Sequence, residues 1–368
     1  MGKIRILMVI PSLEGGGAER VMVNLVNHLN RDLFEPYLYV ERFEGKYARE
    51  LRSDVKVICA GDRRGFSRLF FLAGQIRKLR PQIVFVMMLP LATVATRLAH
   101  VGAMTVIRET ESRPAEQFQQ SLLPRLLNRW AFRLAKRYIA PADATKHYLV
   151  QRYHLSAKQI CVINNPVNIQ EVRDLAGTSG ENPRDKLRLI GVGRLTYQKG
   201  FDLLIRALSE VQGFAWKLRI VGNGPLEDDL KDQARRCGLE EQIEFMGFQE
   251  NPYPLMRSSD LLVLSSRWEG LPNVILEAMA VGVAVLATRC PTGPDEIITP
   301  GVDGELCEIE SESLARHIES LAKDRNMLNH LAAGGTRRVA DFDLPTIVKK
   351  YETYFTGLVA PDRVESCR

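Results

Sequence analysis

The chain has 368 residues, 45% hydrophobic and 26% charged, a balance that suits two cores of ordinary size and excludes a disordered chain. Its net charge is +6, but no nucleic-acid recognition module accompanies the basic excess, so no nucleic-acid partner is expected. Six cysteines, at 59, 161, 237, 290, 307 and 367, form no Cys-x-x-Cys pair and have no histidine at metal-ligand spacing, which predicts reduced thiols in a cytosolic protein.

No apolar run reaches the length of a membrane span, and Ile4–Ile10 reads as a short strand rather than a leader. A glycine-rich loop follows, Gly15-Gly16-Gly17-Ala-Glu19-Arg20, then an amphipathic helix over 21–29 with Val21, Leu25, Val26 and Leu29 on one side. A glycine loop at a helix N-terminus takes an anion through its amides, so Gly16 and Gly17 are candidate ligand contacts, with a merely tight turn as the other reading. The spacing is not Gly-x-Gly-x-x-Gly, which argues against an oxidoreductase.

Further strands are predicted at 36–41, 55–59, Ile83–Met87, 105–108, Arg137–Ala140 and 160–163, and a second set at 187–191, 217–221, 243–246, Leu261–Leu264 and 283–287. Strands alternating with helices predict an α/β chain with doubly wound sheets. The stretch from Gly177 to Arg184 is the most loop-like and marks the expected hinge. The expected domains are 1–170 and 171–345, followed over 346–368 by a helix at 346–354 and a tail.

Charge divides unevenly: the first 180 residues carry 27 Lys and Arg against 15 Asp and Glu, and the remainder 23 against 29. In the basic half, a helix over 122–138 would place Arg125, Arg129, Arg133, Lys136 and Arg137 on one side and Leu123, Leu127, Trp130 and Leu134 on another. Arg63 to Leu72, with Arg77, Lys78 and Arg80 beyond, has the same character. Each pattern fits a helix lying on an anionic membrane surface, and each equally fits a core helix with a solvated basic face.

Two stretches in the second half carry chemistry. Gly191-Val-Gly193-Arg194, continuing to Lys199-Gly200, follows an apolar strand. The glycines let backbone amides approach a ligand, while Arg194 offers a planar donor fork and Lys199 a mobile point charge, a division suited to a diphosphate. The second stretch runs from Ser265 through Glu269-Gly270-Leu271-Pro272-Asn273 to Glu277 and Gly282, with a helix expected over 272–281. Glu269 then lies in the loop before the helix and Glu277 within it, so the spacing alone does not put both carboxylates on one face; they converge on one ligand if it lies along the helix N-terminus. Surface cations and solvated glutamates are the plainer readings.

These motifs, with Val221-Gly-Asn223-Gly224-Pro225 and Cys290-Pro-Thr-Gly-Pro-Asp-Glu296 between and after them, resemble the retaining glycosyltransferases of family 4. The resemblance runs from about Lys3 to Tyr354. It implies a GT-B fold, two Rossmann-like domains facing a cleft, with Asn164-Asn-Pro-Val-Asn168 resembling the family's turn at the interdomain crossing and the last helix crossing back to the first domain. The first domain would bind the acceptor and the second a nucleotide sugar. Carried to matching positions, Glu269 would contact the transferred sugar, Glu277 the ribose, and Arg194 and Lys199 the departing diphosphate. Gly16, Gly17, Gly193, Asn223, Gly224, Gly270, Leu271 and Asn273 would complete the donor site. Two cations at the leaving group imply that no metal or other cofactor is needed, and Asp341-Phe-Asp343 lies too far toward the C-terminus to argue otherwise. Several relatives carry a histidine after the strand at 105–108, where this chain has Arg108-Glu109-Thr110-Glu111. Glu109 is therefore a candidate contact for acceptor or donor sugar, or a solvated loop residue.

The resulting expectation is transfer, with retention, of a hexose or N-acetylhexosamine from a uridine-diphosphate sugar to a lipid-linked saccharide in cell-surface polysaccharide synthesis. The protein would sit in the cytoplasm, peripheral on the inner membrane face through its N-terminal domain. A sugar-nucleotide epimerase of the same fold, a GDP-mannose-dependent mannosyltransferase and a noncatalytic binding protein are the alternatives.

Overall fold

The computed structural model describes residues 2–14, 16–109, 122–178 and 186–360, with backbone alone at 122–125 and 128. Gly15, Thr110, Glu111, residues 179–184 and the side chains of Leu123 and Arg125, singled out above, lie outside the described residues. The chain forms two compact units, residues 1–166 with 344–368, and residues 167–343.

In the first unit seven strands, β1 (Ile4–Ile10), β2 (Phe34–Val40), β3 (Lys56–Cys59), β4 (Ile83–Met87), β5 (Met104–Arg108), β6 (Arg137–Ala140) and β7 (Ile160–Val162), pair in parallel in the order β3-β2-β1-β4-β5-β6-β7. The apolar runs of β1 and β4 are unbroken because both sheet faces are covered. Ile6, Met8 and Phe85 pack on one face against Val21 and Leu25 of α1 (Gly17–His28) and against α14 (Leu344–Val359). Leu7, Val9, Val84 and Val86 pack on the other against α2 (Gly65–Leu79), α3 (Ala92–Ala99), α4 (Leu122–Arg133) and α5 (Asp143–Tyr153).

α4 stops at Arg133 rather than continuing to 138. The segment after it leaves to pair with β5 and β7, so Lys136 and Arg137 are not on the helix. Its buried side is Ala131 and Phe132, while Leu127 and Trp130 are 47% and 53% exposed. α2 is similar: Leu72 and Ile76 are buried, and Phe66 and Phe70 stand 79% and 62% exposed.

The C-terminal helix α14 belongs to the first unit's core through Ile347, Tyr351 and Phe355, the last two completely buried. Arg108, at the end of β5 and 2% exposed, donates from Nε to Tyr351 Oη at 2.6 Å and from Nη2 to Asn165 Oδ1. Asn30 N donates to Glu352 Oε1 at 2.7 Å.

The second unit has six parallel strands, β8 (Leu187–Val192), β9 (Trp216–Val221), β10 (Ile243–Gly247), β11 (Leu261–Leu264), β12 (Ala284–Thr288) and β13 (Glu305–Cys307), in the order β10-β9-β8-β11-β12-β13. β13 escaped the sequence reading because a three-residue edge strand leaves too short a pattern. The helices are α6 (Ile169–Ala176), α7 (Phe201–Glu210), α8 (Glu227–Arg236), α9 (Tyr253–Arg257), α10 (Asn273–Ala280), α11 (Pro294–Ile297), α12 (Ser311–Lys323) and α13 (Arg325–Arg338).

α6 moves the hinge from the Gly177 stretch to the other expected crossing, Asn164 to Asn168. Asn168 caps it, Arg173 Nε donates to Ala280 O at 2.9 Å, and Asn251 Nδ2 to Leu175 O at 2.9 Å. These bonds tie α6 to the second unit, so the chain crosses between units at 166/167, within Asn164 to Asn168, and again at 343/344. The stretch from Gly177 is internal to the second unit.

Phe355 makes edge-to-face contact with Phe34 and Phe85, ring centroids 6.4 and 5.4 Å away. Phe355→Ala should destabilise the first unit by about 3–5 kcal/mol, read as a lower urea midpoint; a shift equivalent to less than about 1 kcal/mol would show that α14 does not support that core.

Candidate active site

In the second sheet β8 lies beside β11, and the strand order reverses between them. The loops leaving two such strands diverge and open a crevice at their carboxyl ends, the place where sheets of this kind bind ligands. β8 runs into the Gly193 to Gly200 segment, and β11 into the segment carrying Glu269.

The two segments are fastened together. Arg267 N donates to Gln198 O at 2.7 Å, Gln198 Nε2 to Trp268 O at 3.0 Å and Ser265 Oγ to Lys199 O at 3.0 Å. The Arg267 guanidinium forks onto Asp202 at 2.8 and 2.6 Å and lies 3.9 Å above the Tyr197 ring. Gly200 has φ +63°, and a Cβ there would run into the Ser265 carbonyl oxygen, so a side chain at that position would force the segments apart.

This clamp delivers Lys199 to Glu269. Lys199 Nζ stands 2.6 Å from Glu269 Oε1, and Ser266 Oγ donates to the same oxygen, also at 2.6 Å. Glu269 is 6% exposed and Ser266 fully buried. Thr292 Oγ1 donates to the Glu269 carbonyl, and Thr288 Oγ1 to the Ser266 carbonyl at 2.5 Å. A buried carboxylate needs such partners, since an ionised group out of water is costly unless paired and hydrogen-bonded. Both side-chain bonds to this carboxylate fall on Oε1.

The β8 and β9 loops form the neighbouring wall. The Lys199 stem lies over Gly193, where its carbons are 3.3 Å from the position of an added Cβ. Leu195 N donates to Asn223 O at 2.9 Å, and Gly224 packs so closely on the Leu195 backbone that no side chain fits. Arg194 and Asn223 are exposed, and Arg194 makes no side-chain hydrogen bond or ion pair among the described residues.

Beyond Glu269, Gly270 and buried Leu271 lead into α10, whose first residue is Asn273 and whose N-cap is Pro272. Asn273 and Glu277 are four apart and share one side of α10; Glu277 is 9% exposed. Gly16, Gly17 and Glu109 belong to the other unit. Gly16 caps α1. Glu109 N donates to Ile139 O at 3.0 Å, and its charge adds to the burial that raises the Tyr148 and Tyr153 hydroxyls.

Models of two glycosyltransferase families match the chain, one described as Glycosyltransferase Family 4 over residues 15–171 and one as Glycosyl transferases group 1 over residues 177–338. The chain belongs to these glycosyltransferases. It is 26% identical over 354 residues to the amylovoran biosynthesis glycosyltransferase AmsD of Erwinia amylovora, spanning 94% of this chain and 98% of that relative. It is also 26% identical over 363 residues to an N-acetylgalactosamine-N,N'-diacetylbacillosaminyl-diphospho-undecaprenol 4-alpha-N-acetylgalactosaminyltransferase of Campylobacter jejuni, covering 95% and 98%. Among solved structures it is similar to Anabaena Alr3699/HepE in complex with UDP, at 22% identity and a TM-score of 0.81, over 96% of this chain and all of that one. The fold is therefore GT-B, built on two Rossmann-like units, and the chain is an enzyme of the glycosyltransferase class.

Sequence reasoning passed over Ser266, Gln198 and Thr288. Ser266 had a local signal, a hydroxyl three residues before the glutamate, a spacing at which short polar side chains find nearby groups. Gln198 and Thr288 act through contacts distant in sequence and left none.

Cys290, buried and donating from Sγ to Thr292 O at 3.5 Å, has its thiol pushed up to about 12, by burial first and by Glu269 second. Burial also raises Cys307 to about 12. Cys59 is exposed. Iodoacetamide at pH 8 should thus label Cys59 in the folded protein and reach Cys290 and Cys307 more than roughly 100-fold more slowly, followed by peptide mass spectrometry; comparable rates would mean an open site.

Proposed function

We propose that this glycosyltransferase moves a hexose or N-acetylhexosamine, with retention, from a uridine-diphosphate sugar to a hydroxyl of a lipid-linked saccharide. The observation that carries the reading is the meeting of Lys199 and Ser266 on one oxygen of Glu269 at the switch point between β8 and β11. With Oε1 so occupied, Oε2 is the oxygen offered to donor-sugar hydroxyls. Lys199 and the unengaged Arg194 lie on the loop that faces the diphosphate and neutralise the leaving group as it departs. Gly193, Asn223, Gly224, Gly270, Leu271 and Asn273 complete the donor wall, and Glu277 takes the ribose hydroxyls. The acceptor hydroxyl attacks on the face the leaving group vacates and passes its proton to a phosphate oxygen. With two side-chain cations in that role, no metal is required.

The uridine donor draws support from the UDP complex of HepE, and the lipid-linked acceptor from the diphospho-undecaprenol substrate in the name of the Campylobacter relative. Among the described residues no helix is long and apolar enough to cross a membrane. Peripheral docking on the inner membrane face is supported by the outward Phe66, Phe70, Leu127 and Trp130 on α2 and α4, in the half of the chain with the basic excess.

The test combines purified protein, membranes bearing lipid-linked saccharides and a panel of uridine- and guanosine-diphosphate sugars, with and without chelator, following nucleotide release. Release with one uridine donor, dependent on the membranes and surviving chelator, is expected. Loss in chelator would overturn metal independence, a guanosine donor would overturn the base assignment, and an epimerised sugar without transfer would overturn the transferase mechanism.

Glu269→Gln should lower turnover about 100-fold or more while UDP binding by calorimetry stays within about threefold; unchanged turnover would remove Glu269 from its role. Ser266→Ala, which frees the carboxylate to rotate, should lower turnover about tenfold with UDP affinity unchanged, and equal losses in both would assign Ser266 to structure alone.

A further inference from the structure

At the carboxyl edge of the first sheet sits a buried charge that the proposed reaction does not use. Arg108 ends β5, paired with Met87 of β4 and Ile139 of β6, and is 2% exposed. Its hydrogen bonds among the described residues go to two neutral oxygens, from Nε to Tyr351 Oη and from Nη2 to Asn165 Oδ1. Burial raises the Tyr351 hydroxyl although the guanidinium pulls the other way, so the phenol stays protonated at neutral pH and lends Arg108 no negative charge. The carboxylates adjacent in sequence serve elsewhere. Glu352 accepts from Asn30 N and pairs with Lys349 at 3.9 Å. Glu109 turns its charge toward Tyr148 and Tyr153, which pack on the other face of the sheet.

An arginine taken out of water without a carboxylate is costly, because neutral acceptors replace its hydration but not its counterion. Part of its donor fork is also held in reserve. Both bonds use Nε and Nη2, which leaves the two hydrogens of Nη1. Nη1 is not among the sealed side-chain atoms that lack a partner, so this unengaged end reaches the surface. Open parallel sheets take their ligands at the carboxyl ends of their strands, where this end lies. One guanidinium balances one negative charge. A carboxylate matches it in charge and in planar shape, whereas a phosphate dianion brings a second charge that no residue described beside Arg108 neutralises.

We infer that Arg108, its guanidinium plane fixed by Tyr351 and Asn165, binds the carboxylate of an acidic sugar in the acceptor. The choice of a saccharide rests on the transferase reading, and the choice of a carboxylate on the charge and geometry of Arg108 alone. Nη1 donates to the carboxylate, and the incoming charge supplies the counterion that the fold leaves out.

Saturation-transfer NMR on the full chain tests this with glucuronate and glucose as probes and inorganic phosphate as competitor. Glucuronate should receive saturation, and glucose, which lacks the charged group, should bind about tenfold more weakly or not at all. Phosphate at equal concentration should not displace glucuronate, and Glu269→Gln should leave its binding unchanged. Arg108→Gln should weaken it about tenfold or more. Asn165→Asp, equal in size, supplies the missing negative charge from within the protein and should abolish the signal with Arg108 intact. Urea unfolding reads whether each variant is folded; if Arg108→Gln is not, Asn165→Asp and the comparison of the two sugars on wild type decide. The inference falls if glucuronate does not bind, if glucose binds as well, if phosphate displaces it, if either folded variant binds like wild type, or if Glu269→Gln abolishes the signal. Calorimetry with UDP reads the donor site separately, with wild type and both variants expected within about twofold of one another. A wild-type protein that takes glucuronate but not UDP sinks the donor reading instead and leaves the Arg108 site standing.

Discussion

The candidate site depends on β8 and β11 being neighbours although some 70 residues separate them. Right-handed connections send the chain outward from β8 to β10 and then back across the sheet to β11. That return places the end of the β8 loop against the start of the β11 loop, and the Gln198, Arg267 and Ser265 bonds lock the two. Lys199 and Glu269 are then partners by topology. A fold without this reversal would leave each as an isolated surface charge.

The pairing also explains how Glu269 is tolerated in a buried position. The adjacent cation and the Ser266 hydroxyl supply the compensation that water would otherwise provide. Both use the same oxygen, so the arrangement is asymmetric, one side of the carboxylate engaged by protein and the other directed elsewhere. The stability of the group and its availability for recognition are separated within one side chain.

Much of this was legible in the sequence. The strands of both sheets stand out because parallel strands covered on both faces are nearly continuous apolar runs; β1, β4, β6 and β11 fall where the pattern puts them, and others shift by a residue or two. Gly193, Arg194, Lys199 and Glu269 stand out in the sequence as glycine turns and charges just after apolar strands, and the fold brings Lys199 to Glu269. What was illegible depended on contacts between distant residues. The end of α4 was misread because a basic-apolar rhythm continues through residues that a neighbouring strand captures, and the hinge because a glycine-rich stretch says nothing about whether the helix before it packs forward or back. Ser266 looks like an ordinary polar residue until its burial and its bond to Glu269 are known.

α14 carries a consequence for synthesis. The second unit is one uninterrupted segment, residues 167–343, whereas the first is completed only by residues from 344 onward. A ribosome makes the first sheet early, with the face bearing Ile6, Met8 and Phe85 left open until Tyr351 and Phe355 leave the exit tunnel. The half made first is thus the half finished last, and through that interval its apolar face is bare to chaperones and to neighbouring chains. A transcript truncated by a few dozen codons would yield a complete second unit attached to a sheet that cannot close.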